Sequence, residues 1–392
     1  MRVNRTKMTL ALVVASTVVG LMGTDLILPA IPGLPDALHG DAATAQFVLA
    51  AYVAGTCGGL LIFGALSDYV PTRRLFAGSL FATALVSWAC GMAPSLETLI
   101  ALRFVHGVVA AGPAVFAPAV VKAMFDEASA VRVMGMLGSI ESVAPALAPI
   151  LGAVLLAWGG WRLSFDVLAA VAAVLGVLLL LGRGIPQVGR RLRGRYVTLL
   201  IRPTFIRYAF SQAMVLGGLL TFVFGMPAVF VRALGGSVTD FIIMQVCAIV
   251  TFIAAANMAS RAVARFGAEP VIGFGTLFAA VGAAGQFAYA LAGGEDALVI
   301  TLLFIPANIG LGLRGPPGFY RAIVASHGDD ARGSALVVLG ILGSAALGTA
   351  CASPWIEWGL APLAGIALIM HGLGVVSLAV LPPLRSEQPS PG

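Results

Sequence analysis

The chain is predicted to be an all-α integral membrane protein, with twelve transmembrane helices in two six-helix halves. Three observations predict this. Of its 392 residues 59% are hydrophobic and only 10% charged, with a mean hydropathy of +1.00, whereas a soluble domain is roughly a quarter charged. The apolar residues gather in twelve runs, each near the roughly 20 residues that cross a bilayer. The positive charge also alternates from loop to loop. With the N-terminus inside, nineteen of the 23 Lys and Arg fall at cytoplasmic positions, against two outside (Arg162 and Arg232) and two within spans (Arg103 and Arg314). The positive-inside rule then places both termini in the cytoplasm. A multi-pass protein of a bacterial cytoplasmic (inner) membrane is expected.

Taken in order, span 1 (8–29) follows a short basic N-terminus. No small-residue cleavage site precedes Asp25, so the run reads as an uncleaved span and not a signal peptide. Spans 2 and 3 (45–67 and 75–94) flank a loop, Gly64-Ala-Leu-Ser-Asp68-Tyr-Val-Pro-Thr-Arg73-Arg74. Span 4 (98–121) carries Arg103 and His106. Span 5 (131–157) carries Glu141 and the small residues Gly135, Gly138, Ala144, Ala146, Ala148 and Gly152, and span 6 (163–182) follows Gly160-Trp161-Arg162. A basic segment, 183–205, contains Gly189–Arg195 (GRRLRGR) and divides the chain into 1–182 and 206–392. It reads as a solvated or lipid-surface linker, with room for a short amphipathic helix.

Spans 7, 8 and 9 are 206–231, 239–260 and 270–292. The loop after span 8, Ser260-Arg261-Ala-Val-Ala-Arg265-Phe-Gly267, echoes the loop after span 2 but lacks its acidic residue. Span 10 (297–321) is interrupted by Pro306, Pro316 and Pro317 and by several glycines, a pattern that points to a broken helix beside a site. Span 11 (333–355) is again rich in small residues (Gly333, Gly340, Gly343, Ala346, Gly348), and span 12 (359–381) carries His371. Small residues let helices approach closely in lipid, so spans 5 and 11 are expected either to pack across the gap between halves or to pack within one half. The 6+6 division matches transporters built from two halves around a midplane site.

The net charge of +6 sets topology and faces anionic headgroups; it does not indicate nucleic acid. Cys57, Cys90, Cys247 and Cys351 lie scattered in spans and read as packing residues, with no zinc or disulfide pattern. No phosphate-binding Gly-x-x-x-x-Gly-Lys-Ser/Thr loop is present, no cofactor is expected, and no catalytic constellation suggests an enzyme.

Charge within the hydrocarbon costs on the order of 2.5–3.5 kcal/mol per residue, which singles out Asp25, Arg103, Glu141 and Arg314. Asp25 and Arg103 fall at similar depth and can offset each other as a pair. Asp25 is either a protonatable carboxylate or a helix-end residue at the outer interface. Glu141 stands mid-span, where burial favours the neutral form of a carboxylate. It is a proton-coupling or substrate group, or a structural hydrogen-bonding group beside Pro145. Arg103 is a substrate contact or a proton-relay cation, or one member of a structural pair. His106 titrates near neutrality but reads first as a packed residue, as does His371. Arg314 either attracts an anionic group of the substrate or is a cation near the cytoplasmic gate, and Asn308 offers a polar contact on the same span.

The loop Gly64, Asp68, Arg73, Arg74 resembles the signature loop between spans 2 and 3 of the major facilitator superfamily. Asp25-Leu-Ile-Leu-Pro29, Arg103-Phe-Val-His-Gly107 and Pro145-Ala-Leu-Ala-Pro149-Ile-Leu-Gly152 resemble further marks of its twelve-span drug:proton antiporters, especially the bicyclomycin-resistance type. Pro71 and Tyr69 depart from the signature loop, and Ala144 from the span 5 motif. The resemblance covers the first half well and the second mainly by topology. It implies a monomeric secondary transporter in which spans 1, 4, 7 and 10 line the cavity. Asp25, Glu141 and Arg103 then couple protons, and Arg103, Arg314, Asn308 and His106 bind substrate. Gly64, Asp68, Arg73, Arg74, Pro145, Pro149 and Gly152 form gates, with Asp68 in a latch that holds the outward-open state. The partners implied are a small-molecule substrate, protons and membrane lipids. The work implied is proton-coupled export of small organic molecules. The alternatives are a dedicated exporter of an anionic metabolite, such as a carboxylate siderophore, and a nutrient importer of the same fold.

Overall fold

A computed structural model describes residues 2–182, 184–188 and 194–384. Arg183, Arg190, Arg191 and Arg193 of the basic segment, and the tail from Arg385, lie outside the described residues. The described chain is helical throughout. The helices are α1 Arg2–Asp25, α2 Leu34–Leu38, α3 Ala42–Leu66, α4 Thr72–Gly91, α5 Leu96–Ala110, α6 Gly112–Met124, α7 Glu127–Leu181, α8 Tyr196–Leu200, α9 Pro203–Ala228, α10 Val238–Phe266, α11 Ala268–Leu291, α12 Ala297–Val324, α13 Asp330–Ala352 and α14 Leu360–Val380.

Among the described residues, eleven helical stretches are long and apolar enough to cross a membrane. Predicted spans 5 and 6 both lie in α7, whose backbone leaves the helical region at Gly159 and at Gly160, where φ is +71°. Only glycine adopts that conformation without strain, so the glycine pair divides α7 and brings the number of crossing helices to twelve. Span 4 is also in two pieces, α5 and α6, with Pro113 in the first turn of α6, where a missing N–H costs nothing.

One element differs from expectation. The prolines of span 10 do not break it: α12 is helical from Ala297 to Val324. Pro316 and Pro317 each remove one hydrogen bond, and neighbouring helices keep the rest of the turn intact. Among the described residues of the linker, α8 is a short helix with Leu199 buried.

The chain forms two compact units. The first comprises 1–125, 140–194 and 328–338, and the second 126–139, 195–327 and 339–392. The units therefore follow the sequence halves except at the starts of α7 and α13, each of which groups with helices of the other half. Gly135 shows why for α7: a Cβ there would stand 2.5 Å from the Ala256 carbonyl oxygen of α10.

Within each unit the seams are built on glycine. In the first, Gly55 and Gly59 of α3 face the Phe104 and Val108 carbonyls of α5, where added Cβ atoms would stand 1.9 and 2.2 Å away. In the second, Gly275 of α11 and Gly310 of α12 lie backbone to backbone, with the equivalent distances 2.6 and 2.4 Å. Dispersion at such contacts, and not water exclusion, drives helix association in lipid. Aromatic and aliphatic side chains fill the spaces between. Trp161 and Phe165 pack with Ile27, Leu34 and Leu96 in the first unit, and Phe222 with Phe304 in the second, at a ring separation of 4.9 Å.

Candidate functional site

The close α3–α5 seam carries Arg103 into the first unit. Ser95 caps α5 by accepting from Thr98 N, and Arg103 follows two turns later, fully buried. Its Nη1 donates to the Gly23 carbonyl of α1 at 2.8 Å, and Nε donates to the Val48 carbonyl of α3 at 3.3 Å. Nη1 also lies 3.2 Å from His106 Nδ1. The guanidinium sits over the Tyr52 ring at 4.2 Å and the Phe165 ring at 5.8 Å, and Tyr52 donates in turn to the Gly20 carbonyl at 2.8 Å. Arg103 Nη2 and His106 Nε2 are buried without a partner among the described residues.

The expected Asp25–Arg103 ion pair does not form: it is absent from the ion pairs among the described residues. Backbone carbonyls and ring faces hold the cation instead, while Asp25 terminates α1 and is partly accessible. Glu141, in the middle of the first part of α7, is likewise partly accessible. Neither carboxylate makes a hydrogen bond or ion pair with the described residues. Near Asp25, a Cβ on Gly152 of α7 would stand 2.1 Å from the Leu26 carbonyl and 3.3 Å from Pro29. This residue of the Pro145–Gly152 motif therefore lets α7 lie directly on the end of α1. Pro145 is exposed and Pro149 partly accessible.

The loop between α3 and α4 forms a second polar centre of the first unit. Arg332, near the start of α13, holds Asp68 in both teeth of its fork, at 2.7 and 3.1 Å. It also donates to Asp329 at 3.0 Å and to the Ala65 carbonyl at 3.4 Å. Both members of the Asp68–Arg332 pair are buried, with side chains 5% and 4% exposed. Burial pushes the Asp329 carboxyl above its ordinary value, opposed by Arg332. Lys122 at the end of α6 pairs with Asp330 at 2.7 Å. The Gly64 carbonyl accepts from Ser67 Oγ at 2.7 Å, and Arg73 donates to the Gly182 carbonyl at 3.3 Å. Arg74 is exposed. The second unit repeats one of these pairings. Arg321, near the end of α12, binds Glu127 at the start of α7 at 2.8 Å.

Arg314 lies in the later part of α12, where Arg103 stands midway along α5, but like Arg103 it reaches the first helix of its half. Nη1 donates to the Ser211 carbonyl of α9 at 3.0 Å, and Nη2 to Ser211 Oγ at 2.8 Å. It is fully buried. Asn308, one of the expected substrate contacts, gives its amide hydrogen to the Phe304 carbonyl of its own helix at 2.9 Å. His371 Nδ1 lies 2.6 Å from the Ala367 carbonyl.

The structure thus places Arg103 with His106, and Asp68 with Arg332, but holds Arg103 apart from an acidic partner. Tyr52, Arg332, Asp329, Ser211 and Gln212 did not stand out in sequence. Asp329-Asp330-Ala-Arg332, opening span 11 with charges of both signs, was the available signal for the Asp68–Arg332 pair. Nothing in the pattern marks Tyr52 or Ser211.

Comparison with known proteins agrees with this architecture. The family model described as Major Facilitator Superfamily matches residues 13–352. A chloramphenicol resistance protein of Pseudomonas aeruginosa is 28% identical over 66% of this chain and 63% of its own. A bicyclomycin resistance protein homolog of Haemophilus influenzae is 25% identical over 64% of this chain and 65% of its own. The chain thus matches a little under two thirds of the length of these curated relatives. Among solved structures, the transporter FucP in its outward conformation superposes with a TM-score of 0.75 at 14% identity, covering 95% of this chain and 98% of that one.

Proposed function

The chain belongs to the major facilitator superfamily, and on that premise we propose that it is a proton-coupled exporter of small organic molecules, of the drug:proton antiporter group, in a bacterial inner membrane. It works by alternating access as a monomer with both termini cytoplasmic. The observation that carries the reading is the pair of carboxylates, Asp25 and Glu141, at membrane depth in the first unit without a direct ion pair or hydrogen bond among the described residues. An unpaired carboxylate in hydrocarbon is either neutral or wetted by a cavity. Both states suit a group that takes a proton on one side and releases it on the other. The resistance proteins among the relatives support export.

Arg103 serves this site as a fixed positive charge. Its hydrogen bonds to carbonyls of α1 and α3 hold it in place whether or not Asp25 is ionised, so a change in Asp25 charge is felt without repacking the cation. Asp68 and Arg332 form the cytoplasmic latch. Asp68 belongs to the first half of the sequence and Arg332 to the second, so moving the start of α13 away from the α3–α4 loop requires breaking a buried bidentate ion pair, and the latch favours the outward-open state. The test is transport in proteoliposomes with an imposed pH gradient, using a panel that begins with chloramphenicol and bicyclomycin. A lumen-acid gradient should drive compound inward by antiport, and Asp25→Asn with Glu141→Gln should abolish the dependence. Equal transport with and without the gradient would remove the proposal.

A further inference from the structure

The second unit holds a polar cluster that proton coupling leaves unused, and we propose that Arg314, Gln212 and His371 form a binding site for a small organic carboxylate bearing a hydroxyl or N–H group. The inference rests on the transporter reading above and names the substrate class for it.

Three deeply buried side chains, 0%, 3% and 2% exposed respectively, keep polar atoms without partners among the described residues: Arg314 Nε, Gln212 Oε1 and His371 Nε2. A guanidinium offers five N–H donors. Here Ser211 takes two, both through neutral oxygens, and no carboxylate of the described residues pairs with Arg314. Nor does an aromatic ring cover it, whereas Arg103 in the first unit lies over two. A buried cation held by neutral acceptors alone is costly. A ligand carboxylate would offset that cost with charge-assisted hydrogen bonds.

The helices are shaped around this group. Gly318 follows Arg314 by one turn of α12, and a Cβ there would stand 2.9 Å from both Arg314 Nη2 and Gln212 Oε1. The cation and the amide therefore meet over bare backbone. Gly218 of α9 similarly makes room for His371, its added Cβ falling 2.9 Å from Nδ1. His371 also lies within the electrostatic reach of Arg314. Because Nδ1 must donate to the Ala367 carbonyl, the neutral ring presents Nε2 as an acceptor. The cluster thus offers N–H donors from Arg314 beside two free acceptors, Gln212 Oε1 and His371 Nε2. A carboxylate answers the first, and a neighbouring hydroxyl or N–H answers the second. Full burial makes entry depend on a conformational change, which alternating access supplies.

The test is binding to the purified full-length protein in detergent, with mandelate, phenylacetate, mandelamide and chloride as probes. Mandelate should bind and stabilise the protein, phenylacetate should bind several-fold more weakly, and mandelamide should not bind. Arg314→Gln should weaken mandelate at least tenfold. His371→Phe should erase the preference for mandelate over phenylacetate, and Gln212→Leu should weaken mandelate several-fold. These two variants carry the test if Arg314→Gln fails to fold. Equal binding of mandelamide, or a site that chloride fills while mandelate does not bind, overturns the inference. Proton-driven transport of chloramphenicol by the same protein reconstituted into proteoliposomes reports on the exporter reading separately. Such transport without mandelate binding removes this inference alone. Mandelate binding without any proton-driven transport upholds the inference and removes the exporter reading.

Discussion

Asp25 ends the first helix and Glu141 stands inside the seventh, yet neither carboxylate makes a direct ion pair or hydrogen bond among the described residues, and Asp25 feels Arg103 only at longer range. Asp25→Asn and Glu141→Gln are each expected to reduce uphill, pH-driven transport at least tenfold, with one of the two still permitting exchange at equal pH. Flux assays with and without a gradient check this. The proposed latch, Asp68 with Arg332, gives a second prediction. Removing one partner of a buried pair costs about 3–5 kcal/mol, so Arg332→Gln should lower the thermal stability of the outward-open form and increase cysteine labelling at the cytoplasmic side. A third prediction concerns Asp329. Its carboxyl is raised above the ordinary value of 3.8, so the folded state favours the protonated form. Its stabilising share is complete below about pH 3.8 and is lost as pH rises through the raised value. The stability of the wild type relative to Asp329→Asn should therefore fall across that rise in pH, as thermal melts at several pH values would show. A difference constant with pH would contradict the assignment. Sequence revealed the intramembrane charges because their cost is large and local. It misassigned the partner of Arg103 because backbone carbonyls and ring faces are acceptors that no sequence spacing advertises.

Glycine does for the helices what polar partners do for the charges. A Cβ on Gly152 would stand 2.1 Å from the Leu26 carbonyl, whereas one on Gly58 would meet nothing within 4 Å. Gly152→Ala should therefore cost on the order of 1–3 kcal/mol by overpacking and impair transport, while Gly58→Ala should change stability by less than about 1 kcal/mol. Thermal unfolding of both variants in detergent tests the contrast, and equal stability would refute the close approach of α7 to the end of α1. Twelve crossing helices were legible because each apolar run has membrane length. The continuity of α12 was not legible. Proline marks a possible break, but whether the helix yields depends on the neighbours packed around it, here α9, α10 and α11. The division of α7 at Gly159 and Gly160 was similarly visible only as a boundary between two runs, and the φ of +71° at Gly160 explains why that boundary is sharp.

For the molecule as a whole, charge asymmetry predicts orientation, and single cysteines at Gly189 and Ser386 should be labelled from the cytoplasmic side only. Labelling of both from outside would reverse the topology. The grouping of 126–139 with the second unit and 328–338 with the first was not legible in the hydropathy pattern, because it depends on packing between helices far apart in sequence, such as that of Gly135 on Ala256. The proposed coupling of export to a proton gradient through Asp25 and Glu141 is tested most directly by compound accumulation in lumen-acid proteoliposomes, before and after the gradient is collapsed. At least one panel compound should accumulate and be lost on collapse, and the Asp25→Asn/Glu141→Gln double variant should show no gradient-driven accumulation. Accumulation that survives collapse of the gradient, or that the double variant sustains at the wild-type level, would contradict it.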